Sequence, residues 1–178
     1  YVFLRLRKHT LSSMGLSLTN WRLNLKVAGI VLACLVIPGA FFVGDTGSVI
    51  LSGQVRLSQA IPALLIYFIH NVVKAGLPEE FFFRAFLQSR LSQILKSRLG
   101  GILIQSLLFG LVHIPDVMQL HNLTPLEAFC RVCLLHAILG ILFGVLWGRT
   151  RSLIPGVIVH SGLNTLNNLG AAISLVFG

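Results

Sequence analysis

Charge is scarce in this chain and acid scarcer still: of 178 residues, 11% are Asp, Glu, Lys or Arg, and only five are acidic. Soluble domains carry about 25% charged residues. So large a deficit excludes a water-soluble core with a wetted surface. Other signatures are missing too. There is no HExxH and no GxSxG, no internal repeat, no low-complexity tract, and no ordered n-region, h-region and cleavage site at the start. No basic face with interleaved aromatics occurs, so the formal charge of +9 does not indicate nucleic acid as a partner. Cysteine numbers three: Cys34, Cys130 and Cys133. The last two form a CxxC one helical turn apart with no second pair, and they are expected to be small buried hydrophobes rather than a redox or zinc motif.

What is abundant is apolar surface, at 55% hydrophobic residues and a mean hydropathy of +0.87. The strongest apolar runs are Val27–Val43, Ala60–Val73, Gly101–Ile114, Val132–Trp147 and Leu153–Phe177, punctuated by Gly, Pro, Ser or charge. A span needs roughly 20 helical residues, which several of these runs reach with their flanks. Continuous rather than alternating apolarity favours helices over a barrel. The expectation is an all-α, polytopic integral membrane bundle of about six helices. Five are spans, and the sixth, Pro78–Arg98, is of mixed character. Basic residues such as Arg22, Lys26, Lys96, Arg98, Arg149 and Arg151 flank the runs, as membrane insertion requires. Residues 1–26 read as the basic flank of a truncated upstream segment, and 27–178 as one membrane domain.

Against that background the stretch AGLPEEFFFRAFLQSRL, Ala75–Leu91, needs a reason for its charge. An ionisable group in a membrane segment costs about 2.5–3.5 kcal/mol on insertion scales and so faces a partner or a polar cavity. Glu80 and Arg84 stand four apart and can pair on one helix face. Glu79, about 100° further round, is left for another role. The alternative is a helix N-terminus after Pro78, where carboxylates suit the macrodipole without further purpose. Two other pairs lie at helical spacing: Phe109 with His113 in SLLFGLVHIP, and His160 with Asn164 in LIPGVIVHSGLNTLNN. His70 and His136 are expected to be packed structural residues, and Ser161 is poorly placed for activation by its neighbour His160.

Glu79-Glu80-x-x-x-Arg84, Phe109-x-x-x-His113 and His160-x-x-x-Asn164, in that order, resemble the motifs of the CPBP (Abi-like) intramembrane proteases. That family is named for type II CAAX prenyl proteases and bacteriocin-processing or self-immunity proteins. The motif-bearing core spans residues 75–170. The resemblance implies an intramembrane endopeptidase with its active site inside the bundle. Glu79 and His113 would act on the water, and His160 and Asn164 on the oxyanion. Glu80, Arg84 and Phe109 would support them.

The residue chemistry agrees, since peptide hydrolysis needs an activated water, a proton acceptor and donors aimed at the oxyanion. No cofactor is favoured. Zinc stays open, with Glu79, His113 and His160 as a His₂Glu set, although these ligands would come from three separate helices. Two other functions use the same groups: a proton- or ion-coupled transporter, and a non-catalytic peptide-binding immunity protein. Asn164, which does not titrate, suits an oxyanion better than a relay. Expected partners are the lipid bilayer and a peptide with an apolar or lipidated end. The compact polar loops favour a bacterial plasma membrane.

Overall fold

The computed structural model describes Gly15, residues 20–42 and residues 56–177. The basic stretch Tyr1–His9 and most of the loop Gly44–Leu57 lie outside the described residues. No strand occurs among them, so the all-α expectation holds. The first helical stretch comprises α1 (Trp21–Val31), a π-helical turn (Leu32–Val36) and α2 (Ile37–Phe42). The second comprises α3 (Leu57–Asn71), a π-helical turn (Val72–Gly76), α4 (Leu77–Glu80), a longer π-helical segment (Phe81–Gln88) and α5 (Ser89–Ile94). Then follow α6 (Arg98–Leu111), α7 (Ile114–His121), α8 (Pro125–Leu134), α9 (His136–Thr150), α10 (Ile154–Leu166) and α11 (Leu169–Phe177).

Among the described residues, four continuous stretches are long and apolar enough to cross a membrane: Trp21–Gly39, Ser58–Ile94, Arg98–His121 and Pro125–Thr150. The burial pattern is inverted relative to a soluble protein. Asn24, Asn71, Glu80, Arg84, Gln88, Gln105, Ser106, His160, Ser161 and Thr165 are buried, whereas Ile61, Leu65, Ile69, Val73, Leu103 and Val145 point outward. Lipid tails cover such apolar faces at no cost, while burial keeps the polar groups away from those tails. The chain is an integral, multi-pass membrane protein.

Two sequence expectations are corrected. Ala60–Val73 and Pro78–Arg98 are not separate helices but parts of one 37-residue stretch, Ser58–Ile94. Pro78 lacks the N–H that would continue an α-helical ladder and would ordinarily break it. Just upstream, the ladder shifts register: the Leu77 N–H reaches back five residues to the Val72 carbonyl. This widened turn absorbs the proline without ending the helix. At about 1.5 Å per residue the stretch is about 55 Å long, well beyond a hydrocarbon core of about 30 Å. It is therefore a span with an extension, not two spans.

The other correction concerns Leu153–Phe177, expected as a single span. It divides into α10, of 13 residues, and α11, of nine. At the division the Asn168 side chain donates to the Asn164 carbonyl at 2.8 Å, and the Asn168 N–H goes to Thr165 O at 3.2 Å. Asparagine side chains compete for backbone groups in this way and favour leaving the helix.

The chain forms two compact units, one containing Glu79–Leu153 and the other Leu18–Pro78 with Ile154–Gly178. In the first, α6 packs along α9. A Cβ on Gly140 would sit 2.9 Å from Ser106 Cα, and one on Gly144 would sit 2.8 Å from Gln105 Nε2. Such small residues let helix backbones approach where no hydrophobic force joins them in lipid. The carbonyls they uncover accept hydrogen bonds: Gln105 Nε2 to Gly140 O at 3.0 Å, and Gln88 Nε2 to Gly144 O at 2.9 Å. In the second unit, α10 packs on α1, α3 and the turn Val72–Gly76, and α11 packs on α3. There Asn71 Nδ2 donates to Thr165 Oγ1 at 3.1 Å, and Thr165 Oγ1 donates to Ser161 O at 2.7 Å.

Candidate active site

The register of the long stretch sets where its charges go. Because the helix continues through Pro78, Glu79 and Glu80 lie in its interior and not at an N-terminus, which removes the macrodipole explanation of their charge. Glu80 and Arg84 form the expected i, i+4 pair, Oε2 to Nε at 3.3 Å, with side chains 1% and 0% exposed. Three phenylalanine rings enclose the guanidinium: Phe109 with its centroid at 4.3 Å, Phe143 at 5.1 Å and Phe83 at 5.6 Å. A buried cation is costly unless paired and hydrogen-bonded, and the π faces offset part of that cost. Phe83 and Phe143 meet Phe109 edge-on, at 5.1 and 6.3 Å, so the cage is a packed aromatic cluster joining the π-helical segment, α6 and α9.

Glu79 turns toward a different neighbour. Its Oε2 stands 3.9 Å from His113 Nε2, and the two side chains remain 30% and 22% exposed. His113 occupies the junction between α6 and α7. Its Nδ1 lies 2.7 Å from the Phe109 carbonyl oxygen. A carbonyl can only accept, so Nδ1 carries the hydrogen, and in the neutral ring Nε2 presents its lone pair. Carboxylate and Nε2 are then two acceptors facing each other beyond direct hydrogen-bond distance. A donor of two hydrogens placed between them satisfies both.

The His113 ring is held by neighbours as well. Phe109 contacts it at 4.8 Å and 58°, and His136 stacks on it at 4.6 Å and 29°. His136, expected to be a packed structural residue, thus lies against a candidate site residue. Nothing local marks it, because its ring partner is 23 positions earlier, across the α7–α8 hairpin. Phe143, which closes the Arg84 cage, was equally invisible from spacing. Stacked face to face, the two imidazoles direct no nitrogens at a common point, and no group of three His, Cys, Asp or Glu among the described residues could hold a metal ion.

His160 and Asn164 belong to the other unit, four apart on α10 as expected. His160 is buried and Asn164 half-buried. Ser161 is fully buried, and a Cβ on Gly76 would collide with its Oγ, a setting for packing and not for nucleophilic attack. His70, exposed, stacks on Tyr67 at 5.7 Å. All three cysteines are free. Cys34 and Cys130 are exposed and Cys133 half-buried, which corrects the expectation that Cys130 and Cys133 are buried.

A sequence profile of the family described as Type II CAAX prenyl endopeptidase Rce1-like matches residues 61–166, more than half of the chain. That range contains Glu79, Glu80, Arg84, Phe109, His113, His136, His160 and Asn164. Comparison with curated proteins gave no match, and comparison with solved structures gave none.

Proposed function

Since the chain belongs to the Type II CAAX prenyl endopeptidase Rce1-like family, we propose that it hydrolyses a peptide bond near the apolar or lipidated end of a membrane-associated substrate, using water activated between Glu79 and His113. The observation that carries this is the Nε2···Oε2 spacing of 3.9 Å, with the His113 tautomer fixed by Phe109 O. Two hydrogen bonds of about 2.6–3.2 Å to one water span that gap. The water donates one hydrogen to each acceptor and keeps its oxygen lone pairs for the substrate carbonyl. As the C–O bond forms, Glu79 takes one of the water's protons; His113 Nε2 takes the other and passes it to the leaving nitrogen as the C–N bond breaks, leaving the acid product as a carboxylate. We assign His160 and Asn164 to the oxyanion, where each supplies an N–H and neither needs to change charge. The Glu80–Arg84 pair and its aromatic cage hold the helix in register, so Glu79 faces His113. An endopeptidase family and a non-titrating Asn164 favour hydrolysis over a proton relay.

Glu79, His113 and His160 have the donor types of a zinc set, but the two that share a unit do not fit one. Ligands at about 2.0–2.1 Å from a tetrahedral ion are at most about 3.4 Å apart, less than the 3.9 Å observed. No step here therefore runs through a metal. The test uses purified protein in detergent with a quenched, prenylated peptide, assayed before and after exhaustive chelation, with metal content measured on the active fraction. Activity is expected to survive chelation. Near-stoichiometric zinc, lost and recovered together with activity, would make these residues ligands and overturn the glutamate mechanism.

A further inference from the structure

We propose that His136 is a positioning residue for this hydrolysis: by stacking on the His113 imidazole it keeps Nε2 aimed at Glu79. The inference rests on the function proposed above. His113 lies at the junction of α6 and α7, where its N–H goes to Gly110 O at 3.0 Å and its carbonyl accepts from the Val117 N–H at 3.0 Å, so the backbone is held there and the side chain is the part left to orient. One hydrogen bond, Nδ1–H to Phe109 O at 2.7 Å, leaves the ring free to swing about that contact. A stacked ring at 4.6 Å and 29° opposes that swing, because any rotation of the imidazole out of plane closes on the His136 face.

His136 is itself well founded. It is the first residue of α9, and one turn later Gly140 lies against Ser106 of α6 at backbone contact. Gln105 Nε2 ties the Gly140 carbonyl to α6 at 3.0 Å. Seven residues after His136, on the same face of α9, Phe143 covers Arg84 at 5.1 Å. One face of α9 thus backs both halves of the site, Arg84 through Phe143 and His113 through His136. The requirement toward His113 is for a flat ring at position 136.

Peptide turnover by His136→Ala, His136→Phe, Glu79→Gln and His113→Ala proteins tests this, with ¹⁵N-histidine spectra of His113 as a readout independent of activity. A misplacement of about 1 Å can cost about 100-fold. With the Phe109 contacts retained, His136→Ala is expected to lose about tenfold in kcat with KM within about twofold. The His113 Nδ1–H signal should broaden or shift as well. His136→Phe restores the ring without its nitrogens and should return kcat to within about threefold of wild type, with the His113 signal recovered. Wild-type kcat and an unchanged His113 signal in His136→Ala would overturn the inference, as would a His136→Phe protein as impaired as the alanine variant. Failure of the underlying function looks different: Glu79→Gln and His113→Ala would then turn over peptide like wild type.

Discussion

Replacing Glu80 by glutamine isolates what the buried ion pair contributes. The change keeps the shape of the side chain and removes its charge, leaving Arg84 fully buried against three aromatic rings. At the observed 3.3 Å, two unit charges attract by about 5 kcal/mol at an effective dielectric near 20. The amide dipole of the glutamine and the ring faces offset part of that loss. Breaking one half of a buried pair costs about 3–5 kcal/mol. For a chain of this length each kcal/mol lowers Tm by about 2–4 °C, so Glu80→Gln should melt roughly 6–20 °C below wild type. Thermal unfolding of detergent-solubilised protein, followed by circular dichroism, reads the shift. The double variant Glu80→Gln, Arg84→Met removes both charges and should melt above Glu80→Gln alone, because no uncompensated cation remains. A Glu80→Gln protein within about 2 °C of wild type, or a double variant less stable than either single, would refute the pairing energetics.

Gly140→Val places branched methyls where even a Cβ would sit 2.9 Å from Ser106 Cα; prising α6 from α9 should cost about 1–3 kcal/mol in the same melting assay. Asn71→Ala removes the 3.1 Å bond to Thr165 in the second unit and should cost about 1 kcal/mol, the usual worth of one interhelical hydrogen bond in a membrane protein. Cys130→Ser and Cys133→Ser alter free, outward or half-buried thiols and should leave peptide turnover within about twofold of wild type, the scale of ordinary surface changes.

What the sequence revealed follows from the range of each interaction. Glu80 with Arg84 and Phe109 with His113 are separated by one helical turn, so spacing alone predicts their contacts, and both form. The apolar runs likewise mark the helices. Helix continuity at Pro78 was not legible, because proline ordinarily ends a ladder and the compensating π-helical register at Val72–Gly76 leaves no residue signature. The division of Leu153–Phe177 was half visible in Asn167 and Asn168, since asparagine side chains compete for backbone groups and favour leaving a helix. Phe143 over Arg84 and His136 over His113 were beyond reach: each pair is joined only by the packing of α9 on its neighbours. Burial of the cysteines was misjudged because periodicity does not say which apolar face meets protein and which meets lipid.

The central claim is that Glu79 and His113 activate the water that cleaves the peptide, and the most direct measurement is turnover of a quenched, prenylated peptide by purified Glu79→Gln protein. A positioned general base contributes about 10²–10⁴-fold. Glutamine keeps the size of Glu79 but cannot take a proton, and Glu79 is part-exposed and outside the Arg84 cage, so the variant should melt with wild type while its kcat falls by about that factor. A Glu79→Gln protein that cleaves at the wild-type rate would contradict the account.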